Sequence, residues 1–355
     1  MAYTTIDDPS VHFSVDLWTG GWDGSNSDTH TVVSGFQPDA VWIKKRSSSG
    51  NHQMFDSSRG ITTKILYPHL SNAEATVSNR VQSVNSDGYV LGPEDSNSDG
   101  ETYVGWSWKC NGGATETPVA ESGDNPANVR QTNTDAGFSI ITYTGTGDAG
   151  TIAHGLGAVP HFIIAKQRTS VGGVAEWVVY HKSIGETHYL KMSTTAAKID
   201  SSGLWEDTAP TSSVFTVHSS HQINADGGTF VAYVFTEKQG YSKFGGYTGN
   251  GDADGTFVYT GFKPAWLMVK RTDSTSEWSI YDTARKTFNV GDLRLNAETN
   301  DAEDTHAVNY HDILSNGFKM RNTDAARNGS GNDYIYAAFA EQPFVTSGGV
   351  PCTAR

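Results

Sequence analysis

The chain has 355 residues, of which 38 are glycine, 18% are charged and 11% are aromatic. That ring content excludes a disordered polymer, and the length suits two or three domains. The net charge is −14 and the longest basic run is "KKR" at 44–46, which argues against nucleic acid, whose phosphates need a positive footprint, and against an anionic membrane surface.

Residues 1–10, "MAYTTIDDPS", carry neither the basic nor the apolar region of a signal peptide, so synthesis in a cytoplasm without export is expected. They read as an N-terminal arm. No apolar run approaches the roughly 20 residues that span a bilayer, so no membrane insertion is expected. The two cysteines, Cys110 and Cys352, lie too far apart for a disulfide framework or a zinc site and read as free thiols.

Three landmarks then recur in fixed order, the signature of an internal repeat. The first is a glycine, an apolar residue and a proline, with a lysine six residues beyond: Gly35, Phe36, Pro38 and Lys44; Gly155, Leu156, Pro160 and Lys166; Gly261, Phe262, Pro264 and Lys270. The proline sets a turn or first strand position, and the apolar run after it reads as a buried strand. The second is a short aromatic strand, "HQMFD" at 52–56, "EWVVYH" at 176–181 and "EWSIYD" at 277–282. The third is a closing strand, "YVGWSWK" at 103–109, "FVAYVFTE" at 230–237 and "YIYAAFAE" at 334–341. Its alternation puts Val104, Trp106 and Trp108, then Val231, Tyr233 and Phe235, then Ile335, Ala337 and Phe339, on one face toward a core. Pro38 to Trp108, Pro160 to Phe235 and Pro264 to Phe339 span 70, 75 and 75 residues.

Each copy opens on an aromatic residue, Thr and Gly: "LWTGGWDG" from Leu17, "TYTGTGDAG" from Thr142 and "GYTGNGDADG" from Gly246. The organisation is therefore an arm at 1–10, a first repeat at 11–109, a linker at 110–135 rich in Gly, Pro, Asn and Thr, a second repeat at 136–239, a third at 240–344 that follows without a linker and packs rigidly on the second, and an extended tail at 345–355. Helix signal is confined to "AEATVSNRVQSV" at 73–84 and "HYLKMSTTAAKI" at 188–199. Short strands between turn signals predict an all-β chain of three tandem β-sandwich repeats, jelly-roll or lectin-like, each with its own core.

Candidate chemistry is sparse. No G-x-S-x-G elbow and no H-E-x-x-H occurs, and His218 and His221 in "HSSHQ" have no carboxylate at ligand spacing. Glu176, Glu277, Glu206 and Asp207 are carboxylates of the kind glycoside hydrolysis needs in pairs, but Glu176 and Glu277 occupy equivalent repeat positions and read as strand-edge charges. "DSNSDG" at 95–100 begins like a calcium loop, yet the twelfth position is Trp106 rather than a bidentate Glu. In "GDADG" the carboxylates of Asp252 and Asp254 offer a calcium site, while the same Asx–Gly pattern is what tight turns demand. Trp22 and Trp205 stand in Gly/Ser-rich surroundings, where a surface ring stacks on a sugar or lids the end of a sandwich. No catalytic residue is assigned, and calcium is the one cofactor considered.

The chain resembles a family of bacteriophage virion proteins common in marine phages. The stretches that carry the resemblance include "MAYTTIDDPS", "SNAEATVSNRVQSVNSDGYVLG", "NTDAGFSIITYTGTGDAGTIAHGLG", "GYSKFGGYTGNGDADGTFVYTGFKPAWLMVKRTD" and "YIYAAFAEQPFVTSGGVPCTAR". It extends over essentially the whole chain and departs most at "NHQMFD". It implies a non-enzymatic structural component located in the virion: a tail fibre, spike or appendage part that contacts a host surface glycan or receptor. The alternatives are a capsid decoration or head-fibre protein and, next, a polysaccharide depolymerase. It further implies attachment through the N-terminal arm, association with other virion proteins, and a homo-oligomer, expected to be a trimer.

Overall fold

The computed structural model describes residues 2–25 and 27–353. Met1 of the arm, Asn26 of the first acidic turn, and Ala354 and Arg355 of the tail lie outside the described residues. Among the described residues the chain is all-β, with seven sheets, none closed, and two four-residue helices, α1 (Ser202–Trp205) and α2 (His221–Asn224).

In residues 11–109, the first segment, the strands are β1 (Phe13–Thr19), β2 (His30–Val33), β3 (Ala40–Lys45), β4 (Gln53–Asp56), β5 (Lys64–Ile65), β6 (Ala75–Thr76), β7 (Val81–Asn85), β8 (Gly88–Leu91) and β9 (Thr102–Trp108). The main sheet has the order β1-β9-β3-β4, with a smaller sheet β2-β8-β7. The second segment contributes β10 (Asn128–Asn133), β11 (Phe138–Thr144), β12 (Gly150–Ala153), β13 (Phe162–Gln167), β14 (Val178–His181), β15 (His188–Lys191), β16 (Ile199–Asp200), β17 (Val214–Val217) and β18 (Thr229–Phe235). Its sheets are β10-β11-β18-β13-β14-β15-β16 and β12-β17. The third contributes β19 (Ser242–Thr248), β20 (Phe257–Tyr259), β21 (Phe262–Arg271), β22 (Trp278–Asp282), β23 (Leu293–Asn296), β24 (Asp304–Thr305), β25 (His311–Leu314), β26 (Gly317–Met320) and β27 (Asp333–Pro343). Its sheets are β19-β27-β21-β22-β23-β24 and β20-β26-β25. Each main sheet thus sets the closing strand between the opening strand and the strand of the proline landmark, all antiparallel. Pro264 lies inside β21, at a register shift where the ladder can spare its missing N–H.

The closing strands are buried on both faces, not on one as their alternation suggests. Val104, Trp106, Trp108, Val231, Tyr233, Phe235, Ile335, Ala337 and Phe339 enter a single core to which all three segments contribute. Their neighbours along the strand, such as Tyr103, Val234 and Tyr336, enter three further cores under the smaller sheets. A strand covered on both sides reads as a near-continuous apolar run, and "FIIAKQ" in β13 is one. In the shared core Trp266 meets Trp106 and Trp108 at centroid distances of 6.4 and 6.1 Å, and Phe235 meets Phe339 at 5.6 Å, all edge to face. A void of about 30 Å³ remains there, lined only by side chains of apolar or aromatic residues. Each segment thus has a core of its own beneath its smaller sheet, and in addition the largest core is shared by all three.

Neither expected helix forms, and both stretches hold short strands joined by turns. Residues 73–84 hold β6 and the start of β7, and 188–199 hold β15 and the start of β16. Ladder partners and burial of Val81, Tyr189 and Leu190 override a modest helix propensity. The expected linker is tied down: Asp39 accepts from the backbone of Cys110, Gly112 and Gly113, and β10 forms the edge of the second main sheet. The arm docks where the second segment, the third segment and the tail meet, with Thr4 Oγ1 donating to Gln239 O, the Tyr3 hydroxyl donating to Gly261 O, and Asp7 accepting from Ser347 N. Cys110 and Cys352 are free thiols, and no described helix is long and apolar enough to cross a membrane.

Candidate functional site

The recurring Thr-Gly turn is a clasp. Gly20, Gly145 and Gly249 donate to Glu101 O, Gly228 O and Asn332 O at 2.8, 2.8 and 2.9 Å. A Cβ at any of them would run into the backbone of 97–98, 224–225 or 328–329, so only glycine fits. Asn97, Asn224 and Asn328, each at most 1% exposed, accept through Oδ1 from Gly21 N, Thr146 N and Asn250 N. The sequence carried this signal unread: an Asn with a left-handed glycine three residues on (Gly100, Gly227, Gly331), five residues before the closing strand. Asp252 and Asp254 sit on the third clasp. Asp252 Oδ1 accepts from Asp254 N at 2.8 Å and Asp254 Oδ1 pairs with Lys319 Nζ at 2.6 Å. Among the described residues no group of three or more His, Cys, Asp or Glu side chains converges as a metal site.

Trp205 ends α1 at 2% exposure inside the second segment's own core, so it offers no face to a sugar. Leu204 and Trp205 are the apolar side chains that a four-residue turn of helix drives inward, a reading the polar neighbours obscured. Trp22 is half-buried, its backbone held to 97–99 in the first clasp. Glu206 and Asp207 are exposed, both with positive φ, in the turn after α1. Glu176 accepts from Ser193 Oγ at 2.6 Å.

The landmark lysines and aromatics join the segments in a closed cycle. Lys44, Lys166 and Lys270, at most 1% exposed, donate to Asn300 O, Ser71 O and Thr195 O of another segment at 3.4, 3.2 and 3.2 Å. His52 Nε2 lies 2.9 Å from Asn296 O, while Trp177 Nε1 and Trp278 Nε1 donate to Tyr67 O and Lys191 O at 3.0 Å. The acceptors stand at identical spacings in the three turns, 67 and 71, 191 and 195, 296 and 300. Burial draws each of the three ammonium groups down to about 8.

Around these contacts, two junctions carry an ionic ladder. At the first–second junction the Arg59 guanidinium binds Asp56, Glu74 and Met54 O, Glu74 takes a bidentate fork from Arg168, and the Tyr233 hydroxyl donates to Asp56. At the third–first junction Arg285 binds Asp282, Glu303 and Ile280 O, Glu303 takes the fork of Arg46, and Trp106 Nε1 donates to Asp282. Burial raises the Glu74 and Glu303 carboxyls, but their arginines outweigh it and hold both below the ordinary value. The second–third junction places His181, Ile184, Lys198 and Thr272 at the matching positions. There His181 Nε2 lies 3.1 Å from Tyr336 O.

That third junction opens a polar cleft of about 520 Å³. Thr195 borders it from the second segment, and Arg271, Ser276, Glu277, Arg294, Asp324 and Arg327 from the third. Arg271 pairs with Asp273, Arg294 with Asp304 and Arg327 with Asp324. Beside it, Glu298 accepts from Trp278 N at 3.0 Å. Burial, aided by Glu277 and opposed by that N–H and Lys270, pushes the Glu298 carboxyl up to about 7. Two carboxylates thus stand where the first segment has the bonded pair Asn51 and His69, and the second has Glu176 and Ser193. Of the carboxylates named from sequence, Glu277 alone reaches this cleft.

No curated protein and no solved structure matches the chain. Residues 8–343 match the family described as a domain of unknown function, DUF7483. The match takes in all three segments and both ionic junctions, and the chain belongs to that family.

Proposed function

We propose that the chain is a non-enzymatic structural component of a bacteriophage virion, a tail-fibre, spike or appendage part that contacts the host cell surface. In this reading it is three tandem β-sandwich repeats closed on one another. One observation carries it: the lysine of every proline landmark is spent on the same contact, an ammonium holding a backbone carbonyl of another segment. Buried ionisable groups that serve cohesion in a closed cycle make a rigid scaffold, the property a particle component needs. The resemblance over the whole chain supplies the class of particle. Association with itself as a trimer, and with neighbouring virion proteins, belongs to the same reading.

The test is location and competition. Cryo-electron microscopy of the phage is expected to place the protein on the tail, and purified protein is expected to block adsorption. Density on the capsid shell with adsorption untouched would select the capsid-decoration or head-fibre role. That second reading draws on the absence of a heptad run or Gly-x-y shaft in the sequence. Release of reducing ends from host polysaccharide would select the depolymerase.

A further inference from the structure

We propose that the cleft at the second–third junction binds an acidic saccharide, a sugar chain bearing carboxylate or sulfate groups. The cleft lies within the size range of small-ligand sites. Its lining mixes the donors and acceptors a polyhydroxylated anion requires: Arg271, Arg294 and Arg327 donate, Glu277 and Asp324 accept, and Thr195 and Ser276 do both. It contains no aromatic ring. Recognition there is ionic and hydrogen-bonded rather than by stacking, which favours an acidic over a neutral sugar. Three guanidinium groups meet at this one cleft in a chain of net charge −14, each paired with one aspartate.

Two of the three lining arginines keep a buried nitrogen without a partner. Arg327 is 2% exposed and lines the cleft, and its Nη2 has no partner although Nε donates to the Tyr281 hydroxyl and Nη1 to Asp324. Arg294 Nε and Glu298 Oε1 are likewise buried and without a partner. Buried donors and acceptors are nearly always satisfied in a folded protein, and a local group of exceptions points to a missing ligand or water. The other two segments serve as internal controls. Where the third has Glu277 and Glu298 the first closes Asn51 on His69, and the second closes Glu176 on Ser193. Guanidinium groups match carboxylate and sulfate oxygens in bidentate geometry, and each already has one acid partner with N–H groups to spare. A nucleic acid is a poorer match, since a basic track along its backbone is wanting.

The link to host contact rests on the function proposed above, but the cleft is tested alone. Isothermal titration of the full chain would use an oligogalacturonate, a sulfated dextran oligosaccharide, maltohexaose and inorganic sulfate. Saturable binding of one or both acidic oligosaccharides is expected, weakened by salt, with maltohexaose inert. The arm that binds distinguishes carboxylate from sulfate. Arg271→Ala and Arg294→Ala should each weaken binding about tenfold, the loss of one charge-assisted contact, in a chain that still folds by circular dichroism. No binding of either acidic probe, equal binding of maltohexaose, or unaltered binding by both variants would overturn the proposal. Sulfate bound as tightly as the oligosaccharides would overturn it too, leaving an adventitious ion only. An adsorption assay separates the two readings. Protein that binds the acidic probe yet leaves adsorption intact keeps the cleft and removes host contact; protein that blocks adsorption without binding the probe does the reverse.

Discussion

The first–second and second–third junctions solve one packing problem by different means. Both keep the lysine-to-carbonyl contact and the Trp N–H contact, whose acceptors are backbone and therefore indifferent to the side chain of the accepting residue. They part at the ladder. Asp56, Arg59, Glu74, Arg168 and Tyr233 at one correspond to His181, Ile184, Lys198, Thr272 and Ala337 at the other. The ladder is absent as a set, so no member of a buried ion pair is left there without its partner, the costly case. Lys198 and Thr272 border a separate cleft of about 280 Å³, while the arginine-lined cleft is bordered by Thr195 and takes in none of the five positions.

The largest test of this contrast removes one member of the ladder. Asp56→Ala strips Arg59 and the Tyr233 hydroxyl of their acceptor in a fully buried setting, and should cost about 3–5 kcal/mol in urea unfolding. His181→Ala, at the matching position, loses the contact with Tyr336 O and the bond its Nδ1 accepts from Ser183 N, two neutral hydrogen bonds, and should cost about 2 kcal/mol. Equal losses would mean that the two junctions do not differ in kind. Next in size is the lysine contact, shared by all junctions. Lys166→Met abandons the carbonyls of Ser71, Gln167 and Ala175 and should cost about 2–3 kcal/mol. Lys44→Met and Lys270→Met should fall in the same range despite their different surroundings, measured by the same unfolding curves.

How much of this could be read in advance follows from what each residue acts upon. The closing-strand face was legible, since alternation is local: Val231, Tyr233 and Phe235 all reach the shared core. That the core was shared was not, because burial of the opposite face depends on sheets distant in sequence. The lysines were visible as cations ending an apolar run, but their acceptors are carbonyls, which leave no mark in composition. Trp205 misled because polar neighbours flank a helical turn whose ring points inward. Glu277 was in view as a repeat-position charge. Its partner Glu298 stands at a position occupied by His69 and Ser193 in the other segments, so no repeat pattern could announce it.

The same contrast predicts a pH signature. The Glu298 carboxyl titrates near 7 in the folded chain against an ordinary value of 4.5, so between these values the folded form holds a proton that the unfolded chain has released. Stability from this group is complete below pH 4.5 and is lost as pH rises through 7. The buried lysines act oppositely. Their folded values near 8 lie below 10.5, so the unfolded chain binds more protons in that interval and stability rises with pH. Buried histidines such as His69 and His181, held down at about 4 by burial, make stability rise with pH up to about 6.5, so the Glu298 contribution is read from the difference between the wild-type and Glu298→Gln melting curves. That difference should be a gain of about 2 kcal/mol for Glu298→Gln at pH 8, with the alkaline limb left alone.

The smallest expected effect comes from rebuilding the missing fork. The backbone N–H of Lys198 already donates to Thr272 O at 2.9 Å, as Glu74 does to Arg168 O and Glu303 to Arg46 O at 2.8 Å. Lys198→Glu with Thr272→Arg would therefore bring a carboxylate and a guanidinium together in the register of the other junctions. Ile184 would still stand where Arg59 and Arg285 complete the network, so the new pair is more exposed and should add only about 0.5 kcal/mol. A double-mutant cycle isolates the coupling between the two from the effect of each alone. A coupling above about 2 kcal/mol would erase the difference between the junctions, since it would mean that the fork needs no inner arginine. A small coupling would place the strength of the other two junctions in Asp56, Arg59 and their counterparts Asp282 and Arg285, with the outer fork as an addition to them.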